Sequence, residues 1–385
     1  MNFGHLFGKK SKSKSSKNSN DKEKFETNVK NSTQIQEKMP VREAIHSDGV
    51  LNVYSVDTST ILSGGQDRTL VLYDFINHRI RRRWAGHEHD VVKVLYGHIV
   101  NLFVSASRDR TIQFWNINSD LPVQKLLGHE LVVTAIDFNP GSSLYYRRLL
   151  IFKFFFLIEN SVLVSGSRDN KIIFWDTKTG QILKKIMIGR NLITDAKWSH
   201  DGTFIAQTGE DKETKMYDSR NMTQVVSFPK KQYIQTSCDI SNDDRYLVSV
   251  ANEPSSSIYF QILFLFVILL MSTSNGFNGS GAEISLWDIR QRKLISEFYG
   301  HRATVNSGQF VDQAASMMIS CSNDGRAILW NVQQNSIFAE LDVDSATPLT
   351  SIIAMNTQNF ATGGLNGKVS FIQRLNRQLQ LTDQI

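Results

Sequence analysis

One pattern recurs seven times along this chain and limits what it can fold into. An aromatic residue followed by Asp or Asn closes a short apolar stretch at Tyr73-Asp74, Trp115-Asn116, Trp175-Asp176, Tyr217-Asp218, Trp287-Asp288 and Trp330-Asn331, with a worn copy at Ile372-Gln373. The spacings between copies are 42, 60, 42, 70, 43 and 42 residues. A second register agrees with the first, because an Asp lies six residues before the closing aromatic at Asp67, Asp109, Asp169, Asp211 and Asp324. A third register is a His with Val four residues later, at His46, His87, His129 and His301. Three registers kept in step over about 330 residues mean a repeat architecture, one small unit per copy.

The unit is clearest in WAGHEHDVVKVLYGHIVNLFVSASRDRTIQFWN, from Trp84 to Asn116. It opens on Gly86-His87, runs through a β-branched segment, crosses a polar turn at Asp109 and ends on an alternating strand, so four short strands are implied. A period near 42 that starts in Gly-His and ends in Trp-Asp resembles the WD repeat, one four-stranded blade of a β-propeller. The resemblance implies an all-β fold: a seven-bladed WD40 β-propeller over 39–385, with a disordered basic N-terminal tail over 1–38.

In WD-repeat proteins Trp, Ser or Thr, His and Asp form one hydrogen-bond network, since a buried indole N–H needs an acceptor and a buried imidazole needs partners on both nitrogens. Here that network is expected to join His87, Asp109 and Trp115, then His129, Asp169 and Trp175, then His301, Asp324 and Trp330, each with a nearby serine. These residues therefore read as structural, His87-Glu88-His89 included, and no catalytic or metal site is expected. Copies four, five and seven have lost members, with Arg190 for His, Gly281 for Asp and Asn366 for Asp.

Composition enters through charge and cysteine. Residues 1–40 hold nine lysines against four acids, so +5 of the net +6 lies in the tail and the body is close to neutral. The tail is poor in apolar residues and reads as disordered. Its run of lysines between 9 and 17, after Phe3, Leu6 and Phe7, makes an anionic membrane surface a candidate partner for residues 1–20. Two cysteines, Cys238 and Cys321, make no disulfide framework or metal cluster and fit a reducing compartment, so the chain is expected to be cytoplasmic and not secreted.

Two apolar stretches interrupt the period, at 144–161 inside the third copy and at 251–274 inside the fifth. Each copy reads as an uninterrupted blade once its insert is removed. A transmembrane helix needs about 20 apolar residues, more than either insert supplies, and the expectation is translated non-coding sequence from unspliced introns. Either Gln378–Ile385 or residues 28–42 complete the last blade; the pattern leaves both open.

Catalytic motifs are few. TGGLNGKV, at 362–369, imitates a phosphate-binding loop but lacks its first Gly and the Ser or Thr after Lys368, so it reads as a turn. A propeller hydrolase would need a polar central pocket with a metal or an acid pair, and none is expected. The turns that hold the repeat aspartates are more informative: Arg68, Arg108, Arg110, Arg168 and Lys212 fall in the equivalent turns of copies one to four, each directly before or after the aspartate. They are expected to form a basic arc that either receives an acidic partner segment or pairs with nearby acids such as Glu88, Glu130 and Glu210.

Within residues 189–299 the segments GRNLITDAKW, QTGEDKETKMYDSR, FPKKQYIQTSCDIS and SNGFNGSGAEISLWDIRQ are similar to those of the WD repeat-containing protein 31 group. That likeness implies a non-enzymatic scaffold without cofactors, in cilium assembly and intraflagellar transport alongside small-GTPase regulators, with a cilium or basal-body location. The alternative from another class is a basic-tailed propeller acting as an RNA or RNA–protein adaptor, although nucleic acid is the less favoured partner.

Overall fold

A computed structural model of the chain describes residues 42, 44–140, 162–189, 191–231, 234–244 and 283–385, together with the backbone of 246–249 and 270–274. Among the described residues there is no helix, and hence none long and apolar enough to cross a membrane.

The described residues form seven antiparallel sheets in chain order. The first holds β1 (Val50–Ser55), β2 (Thr60–Gly65), β3 (Thr69–Asp74) and β4 (Arg79–Ala85). The second holds β5 (Val91–Gly97), β6 (Leu102–Ser107), β7 (Thr111–Trp115) and β8 (Gln124–Leu127). The third holds β9 (Val133–Phe138), β10 (Val162–Ser167), β11 (Lys171–Asp176) and β12 (Ile182–Met187). The fourth holds β13 (Ile193–Trp198), β14 (Phe204–Gly209), β15 (Thr214–Asp218) and β16 (Gln224–Ser227). The fifth runs β19 (Leu270–Ser274), β17 (Gln235–Ile240), β18 (Tyr246–Ser249), β20 (Glu283–Asp288) and β21 (Lys293–Tyr299) in space. The sixth holds β22 (Val305–Phe310), β23 (Met317–Ser322), β24 (Arg326–Asn331) and β25 (Ser336–Asp342). The seventh holds β26 (Leu349–Ala354), β27 (Asn359–Gly364), β28 (Val369–Leu375) and β29 (Gln378–Gln384).

Burial follows strand position, and strand position explains the residue types. Middle strands such as β2, β6 and β11 are buried on both faces and read as unbroken apolar or small runs. Outer strands such as β4 and β12 are mostly exposed and carry the charges. Every closing aromatic lies in the strand next to the outermost, where Trp115, Trp175, Trp287 and Trp330 are fully buried. Small residues sit where one sheet presses on the next: a side chain at Gly64 would meet Val91 at 2.6 Å, and one at Gly166 would meet Ile193 at 2.7 Å.

Adjacent sheets share their cores. Leu62, Leu70, Leu72 and Trp84 pack with Val91, Val94, Phe103 and Trp115, and the seventh sheet's Ala361, Val369 and Phe371 pack with Val50, Val53, Ile61 and Tyr73 of the first. The last sheet is completed by β29, so the seam between last and first sheets is made by side chains rather than by a shared strand. Thr350 donates to the Val50 carbonyl at 2.6 Å, Ser351 accepts from Asn52 at 3.1 Å, and Arg42 reaches Asp383 at 2.8 Å.

The insert at 144–161, most of that at 251–274 and the tail lie outside the described residues. One boundary is corrected: 270–274 form β19, paired with β17 from Gln235↔Ser274 to Ile240↔Leu270, so the end of the second stretch belongs to the sheet.

Candidate functional site

The repeat histidines are buried beside their aspartates. His87 Nδ1 lies 2.6 Å from Asp109, its Nε2 lies 2.7 Å from Ser105 Oγ, and Trp115 donates to the same hydroxyl at 2.8 Å. His129, Asp169, Ser165 and Trp175 repeat this at 2.9, 2.7 and 2.8 Å. His301, Asp324, Ser320 and Trp330 do so at 3.2, 2.8 and 2.8 Å. In the first sheet His46 meets Asp67 and Ser63, but Tyr73 stands where those three networks have Trp.

The aspartates do more than hold histidines. Asp109 accepts the backbone N–H groups of Glu88 and Thr111 and so ties the entry loop to the turn, as Asp169 and Asp324 do in their sheets. Burial alone would raise these carboxyls, yet the hydrogen bonds outweigh it: Asp67 is held down at about 2, and Asp109, Asp169 and Asp324 are likewise lowered. Burial lowers the His301 imidazole, favouring its neutral form.

In the fifth sheet a different pair does this work. Lys231, four residues before β17, takes the place of the histidine, with Glu283 at 2.5 Å and Glu297 at 2.8 Å, and its ammonium lies over the Trp287 ring. Burial pushes Glu283 up to about 7. The histidine pattern hides this pair; its signal was a lysine four residues before the strand at the histidine's offset. Arg190 and Gly281 lie outside the described residues.

The arginine turns share one conformation. Arg68, Arg110, Asn170, Lys212, Gly325 and Gly367 each donate a backbone N–H to the residue three before, and each has φ between 63° and 77°. Each turn also docks on the loop entering its sheet, as Arg108 N–H does on the Asp90 carbonyl at 3.0 Å. These turns therefore lie on one edge of the ring. Two of the five cations in the expected arc are paired there, Arg108 with Asp90 at 3.1 Å and Arg168 with Glu210 at 2.8 Å. Arg68 and Arg110 are exposed, and Lys212 is half-buried.

The centre of the ring departs from expectation. The first strands of the sheets line a channel of about 100 Å³ whose wall carries Lys93, Asp137, Asp195, Lys197 and Asp239. Lys93 reaches Asp195 at 3.1 Å, across Ala135 on the intervening strand, and Ser237 donates to the same carboxylate at 2.9 Å. Lys197 stands 3.9 Å from Asp137 and is raised by Asp137 first, and then by Asp239 and Asp195, despite its burial. A polar channel with lysine–aspartate pairs is thus present where no polar centre was expected. The readable signal lay six and eight residues after each repeat histidine, as in Lys93 after His87 and Asp137 after His129. Cys238 and Cys321 are free and buried, their thiols pushed up by burial and so unreactive.

Four stretches, 41–74, 79–116, 121–176 and 292–331, match the family described as WD domain, G-beta repeat. Over 309 residues the chain is 28% identical to nuclear distribution protein PAC1 of Arthroderma otae, covering 77% of this chain and 62% of that protein. It is 26% identical over 301 residues to nuclear distribution protein nudF of Aspergillus niger, covering 75% and 60%. It is 28% identical over 181 residues to pre-mRNA-processing factor 19 of Bos taurus, covering 46% and 32%. The chain thus spans less than two thirds of these relatives' lengths, and the matches carry the repeat family without the narrower group named from residues 189–299. Repeat register, family match and relatives together support the WD40 repeat family for this chain, whose fold is an all-β WD40 propeller.

Proposed function

We propose that the chain is a non-enzymatic interaction platform, a ring of seven blades whose turn-bearing edge receives an acidic segment of a partner protein. One observation carries this reading: the identity of the residues at the left-handed turn positions. Glycine fills that conformation without steric cost, as Gly325 and Gly367 do, whereas a side chain there costs about 1–2 kcal/mol. Arg68, Arg110 and Lys212 accept the cost along one edge, and strain kept at the exposed Arg68 and Arg110 and the half-buried Lys212 points to use. Arg108 and Arg168 add guanidinium groups whose present partners, Asp90 and Glu210, an incoming carboxylate would replace.

The test is binding of a labelled acidic peptide to the full chain and to the Arg68→Gly, Arg110→Gly, Lys212→Gly triple variant, followed by fluorescence anisotropy. Weaker binding by at least tenfold in a folded variant supports the reading; unchanged binding overturns it.

The relatives' names, a nuclear distribution protein and a pre-mRNA-processing factor, share a scaffold rather than a task. The ciliary setting, with intraflagellar transport and small-GTPase regulators, is the narrower form of this proposal and rests on the resemblance within residues 189–299 alone. The second reading, an RNA–protein adaptor working through the basic residues 1–38, has the charge of that segment and the name of the processing factor in its favour. Its mark would be RNA binding that falls steeply with salt and is lost when 1–38 are deleted.

A further inference from the structure

Away from the arginine turns, the opposite mouth of the channel opens into a cavity of about 300 Å³, large enough for the end of a long side chain. Its walls are Tyr54, Leu95, Tyr96, Val100 and Phe138, and one carboxylate, Asp137, faces it. Tyr54, Leu95 and Asp137 line the channel as well, so the two spaces meet at these residues.

The walls are fixed by their neighbours. The Tyr96 ring packs 5.0 Å from Phe103 and edge-on to His98 at 4.9 Å, and its hydroxyl is bound to Asn101. Gly97 is required beside them, because a Cβ there would meet the Phe138 ring at 2.6 Å. Asp137 is anchored by the Trp198 N–H at 2.9 Å, and its cation, Lys197, stays 3.9 Å away on the channel side. Among the described residues no lysine or arginine lines this cavity, and its one imidazole, His98, stands edge-on to Tyr96. Its carboxyl is raised, first by burial and only partly offset by Lys197, so it is a charge with spare demand for a positive partner.

Aromatic faces around an apolar slot, with one under-compensated carboxylate, are the chemistry that recognises an organic cation on an aliphatic stem. We propose that this cavity binds the side chain of a lysine or arginine, its stem against Leu95, Val100 and Phe138 and its charge against Asp137. The chain would then carry two binding ends of opposite preference, one taking acids at Arg68 and Arg110 and the other taking a base at Asp137.

The test uses the full chain and four small probes followed by ligand-observed NMR: the N-acetyl amides of lysine, arginine and norleucine, and free butylammonium. Lysine or arginine amide should bind and norleucine amide, the neutral isostere of the lysine stem, should bind at least tenfold more weakly. Butylammonium binding as tightly as the amino-acid amides would assign the site to free amines rather than to a protein side chain and would overturn that half of the proposal. Asp137→Asn keeps an acceptor for the Trp198 backbone N–H and should lower the affinity at least tenfold. If Asp137→Asn does not fold, Val100→Arg provides the second variant, since it fills the slot with a cation from the rim. Equal binding of lysine and norleucine amides, or full binding by Asp137→Asn or by Val100→Arg, would overturn the inference.

Discussion

The serine at the centre of each network is a test of how the repeat is held. Ser105 Oγ is shared by the His87 imidazole at 2.7 Å and the Trp115 indole at 2.8 Å, and all three residues are buried. Ser105→Ala leaves two buried groups without a partner, each costing about 1–3 kcal/mol, so a loss of about 3–4 kcal/mol is expected. Ser63 in the first sheet is the internal control. It holds His46 at 2.8 Å but no indole, because Tyr73 stands there with its hydroxyl toward Arg42. Ser63→Ala should therefore cost about half as much, a difference of about 2 kcal/mol between two chemically identical substitutions. Urea unfolding at pH 7, followed in parallel by tryptophan fluorescence and circular dichroism, measures both, provided the two probes coincide. The Trp115→Phe background sharpens the comparison, since Ser105→Ala made in it should fall to the Ser63 value. Equal losses at Ser63 and Ser105, or a Ser105 loss that Trp115→Phe leaves unchanged, would refute the idea that the indole and imidazole depend on one hydroxyl.

Other consequences can be checked with the same apparatus. Arg110→Gly should stabilise the fold by up to about 1 kcal/mol, because the left-handed strain outweighs the added freedom of the unfolded chain; a lower urea midpoint would contradict it. Asp67, held at about 2 when folded against an ordinary value near 3.8, contributes about 2 kcal/mol that is present above pH 4 and lost as pH falls toward 2. Asp67→Asn should flatten that acid limb of the stability curve. Glu283 has the opposite sign: its folded value, about 7, lies above the ordinary 4.5, so its contribution is complete below pH 4.5 and fades as pH rises to 7. Glu283→Gln should accordingly gain stability relative to the parent between pH 5 and pH 8, and a constant difference would sink the assignment. Lys93→Met strands the buried Asp195 carboxylate and should cost about 3–5 kcal/mol, much of it recovered on adding Asp195→Leu. Finally, we propose that the apolar stretches at 144–161 and 251–269 are translated intron sequence; peptide mapping of the native protein should recover nothing from 152–156 or 260–269, and any such peptide would overturn this.

What was legible in the chain and what was not divide along one physical line. The Trp-Asp, His-Val and Asp registers place every closing aromatic in its strand and join His87 to Asp109 and His301 to Asp324, because those contacts repeat at fixed offsets within one sheet. A network closed inside a repeat leaves a periodic trace. Contacts between repeats leave none: Lys93 reaches Asp195 over 102 residues, and that separation is not a property of one blade. Lys231 reaches Glu283 within the fifth sheet, but over 52 residues and with residue types the pattern does not name, so it broke the register instead of marking it. Channel acids were hidden for the same reason. Asp137 and Asp195 occupy positions whose residue type changes around the ring, with Tyr54 and Leu95 at the level of Asp137, and Asn52 and Ser237 at that of Asp195. The repeat conserves the position of a side chain relative to its own sheet while leaving its chemistry free wherever seven first strands converge. Variation at those converging positions is thus where one propeller can differ from another without disturbing the fold, and the cavity beside Asp137 is such a place.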